Sequence, residues 1–174
     1  MKKITIKDIA NEARVSISTV SFVLNDKGEK MGISAAVIKK VQDIVEKLNY
    51  RPNMTATSLR TGKTKSIGLI VENISNQFFS VLAKVIEEEA VKLGYRVFYC
   101  STDNDDDRAA ELIQSLLQAN VDGFIITPTE NLEKSIDQLL KMKIPVVLID
   151  RYFPEQEVSH VVMNNYEGAY IATE

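Results

Sequence analysis

Tryptophan is absent from the 174 residues, and cysteine and histidine occur once each, as Cys100 and His160. One thiol cannot close an intramolecular disulfide, so stability has to come from packed cores. Cys100, inside the apolar run RVFYCS, reads as a buried core thiol suited to a reducing, cytoplasmic setting. A single histidine beside a single cysteine leaves no histidine–cysteine metal cluster. The acidic run DNDDDR lacks the glycine of a calcium loop and places Gln114 where the closing glutamate belongs. Acids at a helix start, beside the positive end of the macrodipole, account for it. The seven glycines form neither a dinucleotide fingerprint nor a phosphate loop, and no nucleophile–base pair stands out. Neither an enzyme nor a cofactor nor a metal is therefore expected. Long apolar runs are missing too: IGLIV, GFIIT and PVVLI are strand-sized, well short of the roughly 18 residues of a membrane span. The opening MKKITIKDIANEA reaches Lys7 and Asp8 before an export-signal core develops.

What is present is a globular composition, 45% hydrophobic and 26% charged, with its charge divided unevenly. Residues 1–65 hold 13 Lys/Arg and 6 Asp/Glu, a net of +7, whereas residues 66–174 hold 8 and 18, a net of −10. A basic head on an acidic body points to two units with different partners, and a polyanion suits the head.

The head, residues 1–50, reads as three short helices. Thr5 followed by Asp8 forms a capping arrangement, and Ile6, Ile9, Ala10 and Ala13 then share one face. Ser16 caps a second helix whose Val20, Val23 and Leu24 face the same core. After the polar loop NDKGEKMG, Ser34 caps a third, with a stripe running from Val37 to Leu48. Residues 51–65 form a linker: Pro52 disfavours helix at Arg51, Asn53 can cap a short segment, and Gly62 ends it. From Ser66 onward, strand-sized apolar runs alternate with amphipathic helices, the pattern of a parallel α/β sheet covered on both faces.

Two capped helices around a turn at Arg14-Val15 meet the geometry of a helix-turn-helix. In such a unit the second helix presents its first turn and outer face to the major groove. Ser16, Ser18, Thr19 and Ser21 are small enough to reach phosphates or base edges. By spacing alone, an ordinary pair of capped helices fits equally well.

The detailed residues go further. TIKDIANEARVSISTVSFVLN, followed by NYRPNMTATSLRTGKTKSIGLIV, closely resembles the lactose-repressor (LacI/GalR) family of bacterial transcription regulators. The resemblance continues through NQFFS, GYRVF, VDGFIITP, IPVVLIDR and NNYEGAYIATE, and so spans essentially the whole chain. It implies an all-α helix-turn-helix head, a hinge at 51–65, and in 66–174 a doubly wound parallel sheet, the first lobe of a periplasmic-binding-protein-like type I body. By position it places Ile17, Ser18 and Phe22 among base readers, and Thr5, Ser16, Thr19, Ser21 and Asn25 among backbone-contacting or supporting residues. Leu59 matches a leucine that wedges into the minor groove, and small Ala56 would let two hinge helices approach closely. Two departures stand out. Arg14 occupies a turn position usually filled by glycine, and Phe22 replaces a polar reader, offering contact with a thymine methyl instead of a hydrogen bond.

For the body, the resemblance implies a small, sugar-like effector at the carboxyl ends of the strands. Asn76, Phe78 and Phe79 would flank it, and Asp150 with Arg151 would meet its hydroxyls or a second lobe. Phe78 and Phe79 also suit plain core packing, and Asp150 a loop cap. The implied protein is a homodimeric repressor on a pseudo-palindromic operator. Relatives continue past Glu174 with a second lobe, so the body is expected to be incomplete, with impaired sensing or as part of a longer chain. A solute-binding protein shares the body but predicts an export signal and no basic head.

Overall fold

Thr5 opens the first helix, α1 (Ile6–Ala13), through a reciprocal capping box. Its hydroxyl accepts from the Asp8 N–H at 3.4 Å and the Asp8 carboxylate accepts from the Thr5 N–H at 2.8 Å. Arg14 ends α1 in the left-handed region at φ 56°, ψ 45°, the conformation anticipated for this turn, at a cost of about 1 kcal/mol for a residue with a side chain. Ser16 then caps α2 (Ile17–Leu24), accepting from the Thr19 N–H at 3.0 Å. The loop that follows is more ordered than its polar composition implies, since Glu29–Met31 form a 3-10 turn closed at Gly32. Ser34 caps α3 (Ala35–Lys47). The three helices bury Ile9, Ala10, Ala13, Val20, Val23, Val41 and Ile44 in a core of their own. Lys47 pairs with Glu12 at 2.9 Å across α3 and α1, but both are exposed, so the pair contributes little.

The computed structural model describes residues 4–51, 58 and 61–173. The chain divides into two units, Met1–Met54 and Thr55–Glu174. Ala56 and Leu59 lie outside the described residues, as does Asn53. At the end of the linker, the Gly62 N–H donates to the Ser58 carbonyl at 2.7 Å, with Gly62 at φ 67°. That is the helix-ending geometry expected of this glycine.

In the second unit the elements alternate as the apolar runs predict: β1 (Ser66–Val71), α4 (Gln77–Lys92), β2 (Arg96–Ser101), α5 (Asp106–Gln118), β3 (Phe124–Ile126), α6 (Glu133–Lys141), β4 (Val146–Ile149), β5 (Ser159–Val161) and α7 (Asn165–Thr173). All strand pairs are parallel, in the order β2-β1-β3-β4-β5, a doubly wound arrangement with its switch point between β1 and β3. Alternation along β1 sends Leu69 and Val71 to one core with Phe79, Ala83 and Ile149, and Ile70 to another with Ile113, Phe124 and Ile126.

Burial is not uniform across the sheet, and this corrects the sequence expectation for β2. That strand sits at the edge, leaving Phe98 and Tyr99 exposed and Cys100 half-buried instead of a core thiol. Partial burial raises the Cys100 pKa, against the opposing pull of Arg108. Edge position is a property of topology, and the composition of RVFYCS carries no sign of it.

Candidate nucleic-acid and effector sites

Helix α2 turns two kinds of side chain in opposite directions. Val20 and Val23 enter the head core, whereas Ile17 is 47% exposed and Ser18 is exposed. Ser21 and Phe22 are half-buried, one turn beyond Ile17 and Ser18 on the same strip. Neither Ile17 nor Phe22 belongs to the head's apolar cluster or to the residues packed against it. An aromatic ring and a branched aliphatic side chain left off the core by a short helix are available to an external surface. The hydroxyls of Ser16 and Thr19 lie 2.8 Å apart, and the Asn25 amide donates to the Ser21 carbonyl at 2.7 Å. These residues fix the two ends of α2, and Thr5 does the same for the start of α1.

At the carboxyl end of the sheet the structure gathers groups from four strands. Arg151, after β4, donates to Asn104 Oδ1 at 2.9 Å, pairs with Glu72 after β1, and lies 3.6 Å from the Asp150 carboxylate. Asn73 donates to Asp103 Oδ1 at 2.9 Å, and Arg108 holds the other oxygen of Asp103 at 2.6 Å. After β3, Thr127 is 1% exposed and its Oγ1 has no hydrogen-bond partner among the described residues. Asp150 and Arg151, adjacent in sequence, both stand at this end of the sheet. Glu72, Asn104 and Thr127 join them unannounced, and only their positions just past strand ends could have flagged them.

The NQFF segment divides. Asn76 Oδ1 caps α4 by accepting from the Phe78 N–H at 2.9 Å. Phe79 is 4% exposed, in the core with Leu69 and Val71, while Phe78 is 40% exposed and meets Phe79 edge-on at 5.0 Å. Of the pair, Phe78 offers an open aromatic face.

Asp106 ties α5 to the loop after β3. Its carboxylate is held below the usual range by the nearby Thr129 hydroxyl, which stands outside hydrogen-bond geometry, and by Asn131, whose main-chain N–H and side chain donate to it at 3.2 and 2.8 Å. A depressed carboxylate stabilises the fold above its unfolded pKa and loses that contribution as pH falls through its folded value. Asp106→Asn is therefore expected to lessen the acid sensitivity of the body, seen as a smaller drop in melting temperature below pH 4.

Comparison with known proteins agrees with this fold. A model of the periplasmic binding protein domain matches residues 67–174, and one of bacterial regulatory proteins, lacI family, matches residues 5–53. The ribose operon repressor of Halalkalibacterium halodurans is 39% identical over 170 residues, 98% of this chain and 49% of that protein. The lac repressor dimer bound to operator and the anti-inducer ONPF has the same fold. Its TM-score is 0.81 at 24% identity, over 99% of this chain and 52% of its own. A periplasmic binding protein/LacI transcriptional regulator from Alkaliphilus metalliredigens QYMF complexed with D-xylulofuranose is 34% identical with a TM-score of 0.54, covering 62% of this chain and 39% of its own. Head and body together define a class, a helix-turn-helix unit followed by the first lobe of a periplasmic-binding-type body. The chain belongs to the lacI family of bacterial regulatory proteins. It spans about half the length of the curated relatives it matches.

Proposed function

We propose that this protein is a sequence-specific DNA-binding repressor that acts as a homodimer on a pseudo-palindromic operator, with a small sugar-like effector at the carboxyl end of the sheet. The observation that carries the reading is α2. Its ends are fixed by Ser16 and Asn25, and its strip of Ile17, Ser18 and Phe22 lies outside the head's apolar cluster among the described residues. In a major groove, Ser18 can bond a base edge and Phe22 can cover a thymine methyl. Leu59 supplies the minor-groove wedge and Ala56 the close approach of two hinges.

The dimer reading is supported by the exposed apolar side chains of α4 and β2, where Val81 and Val85 accompany Phe98 and Tyr99. The effector reading is supported by the polar end of the sheet. Asn76, Asp150, Arg151, Glu72 and Asn104 present acceptors and donors there, and Phe78, backed by Phe79, an aromatic face. A polyhydroxylated ring satisfies such a mixture. The D-xylulofuranose bound by the Alkaliphilus relative and the name of the ribose operon repressor point the same way.

The test is selection of duplexes from a randomised pool, followed by titration of the enriched and scrambled sequences across a salt series. A preference of at least tenfold for the enriched duplex is expected. If about six phosphates are contacted, affinity should fall about a thousandfold between 50 and 200 mM salt. Equal binding to both duplexes by folded protein, or none to either, overturns the reading.

A further inference from the structure

We propose that Asp122 is a positioning residue for DNA binding: it fixes the two residues by which the linker enters the body, and thereby sets affinity for operator DNA without touching it. The inference rests on the DNA-binding reading above. Its ground is a concentration of hydrogen bonds on Thr64 and Lys65. Asp122 Oδ1 accepts from the Thr64 N–H at 2.8 Å and from its hydroxyl at 3.1 Å, while Oδ2 accepts from the Lys65 N–H at 3.0 Å. The Thr64 hydroxyl also lies 2.7 Å from the Asn120 carbonyl, and the Asp122 N–H donates to Ser66 O at 2.7 Å. The Lys65 carbonyl accepts from Arg96 at 2.9 Å, and its ammonium lies 4.3 Å from the centre of the Tyr95 ring.

This arrangement holds more than the sheet requires. The register of β1 with β2 begins at Ser66 and with β3 at Gly68, so both residues held by the carboxylate precede the ladders. Lys65 adopts φ 56°, a left-handed conformation that a lysine resists and that its neighbours must maintain. Asp122 is half-buried and forms no ion pair among the described residues, so its charge is directed to main-chain N–H donors. A carboxylate directed to the last residues before the strand fixes the direction in which the chain leaves β1. Restricting that direction before DNA is met removes an ordering cost from binding.

Asp122→Ala removes both acceptors and Asp122→Asn keeps one. Lys65→Gly relaxes the left-handed residue, loosening the exit while relieving its strain. With the duplex enriched by the unchanged chain, the alanine variant is expected to lose about tenfold in affinity, and the asparagine and glycine variants about threefold. Binding to scrambled duplex should stay within twofold for all three. For Lys65→Gly the melting temperature should stay level or rise while affinity falls, an opposition that a purely structural role does not produce. Unchanged affinity in Lys65→Gly and Asp122→Asn overturns the proposal, as does an equal loss on both duplexes. If the unchanged chain enriches no duplex, the DNA-binding reading itself fails, which is a different result from insensitive variants.

Discussion

Val20→Asp is expected to unfold the head and abolish selective duplex binding while the body keeps its melting transition. Val20 is 0% exposed, between α1 and α3 in a core of seven buried side chains. A unit of about 50 residues with a single core rarely holds more than about 3–5 kcal/mol of stability. An unpaired carboxylate in that core costs several kcal/mol, or takes up a proton and still leaves a polar group unsatisfied. The head's margin is smaller than the penalty. The described residues of the body form apolar clusters of their own. Amide spectra should lose dispersion for residues 4–51 and keep it for the sheet. Loss of both units together, or retained selectivity, would contradict the argument.

The mirror experiment is Gly68→Val in β1. A Cβ at this position falls 2.7 Å from Leu116 Cδ1 and 3.1 and 3.3 Å from the Phe124 ring, where both neighbours are buried. Leu116 can rotate a methyl away only into a filled core, and a valine adds two further carbons. Overpacking of this kind costs about 1–3 kcal/mol for modest insertions, and valine should stand at or above the upper end. The body's transition is expected to drop by about 10 °C or more. The head's helical signal should persist through that transition. A drop below about 3 °C would mean that α5 yields far more easily than its packing indicates.

Much of the fold was legible because local chemistry and tertiary structure agree. Thr5, Ser16 and Ser34 each cap the helix that their sequence context announces, and β1 and β2 run over the very residues of SIGLIV and RVFYCS. What escaped was whatever depends on strands meeting. Arg151 and Glu72 lie 79 positions apart, and only the order β2-β1-β3-β4 brings Asn104, Glu72, Thr127 and Asp150 to one end of the sheet. The exposure of Phe98 and Tyr99 escaped for the same reason, since an edge strand and an inner one can share a composition. Phe78 and Phe79 are adjacent identical letters with opposite surroundings, set by their angle around α4.

The six residues of β1 have a mechanical consequence. Ser66 stands next to the anchored entry of the linker and Val71 next to Glu72, so about 20 Å of extended backbone joins the two ends. Extended chain does not stretch, and this length is zipped to β2 over six pairs and to β3 over three. Sliding it by one residue would turn Leu69 and Val71 to the wrong face. The strand therefore behaves as an inextensible tie rod, not a spring. Under the proposed function, whatever factor occupancy of the polar end applies to duplex affinity, duplex capture applies to affinity at the polar end.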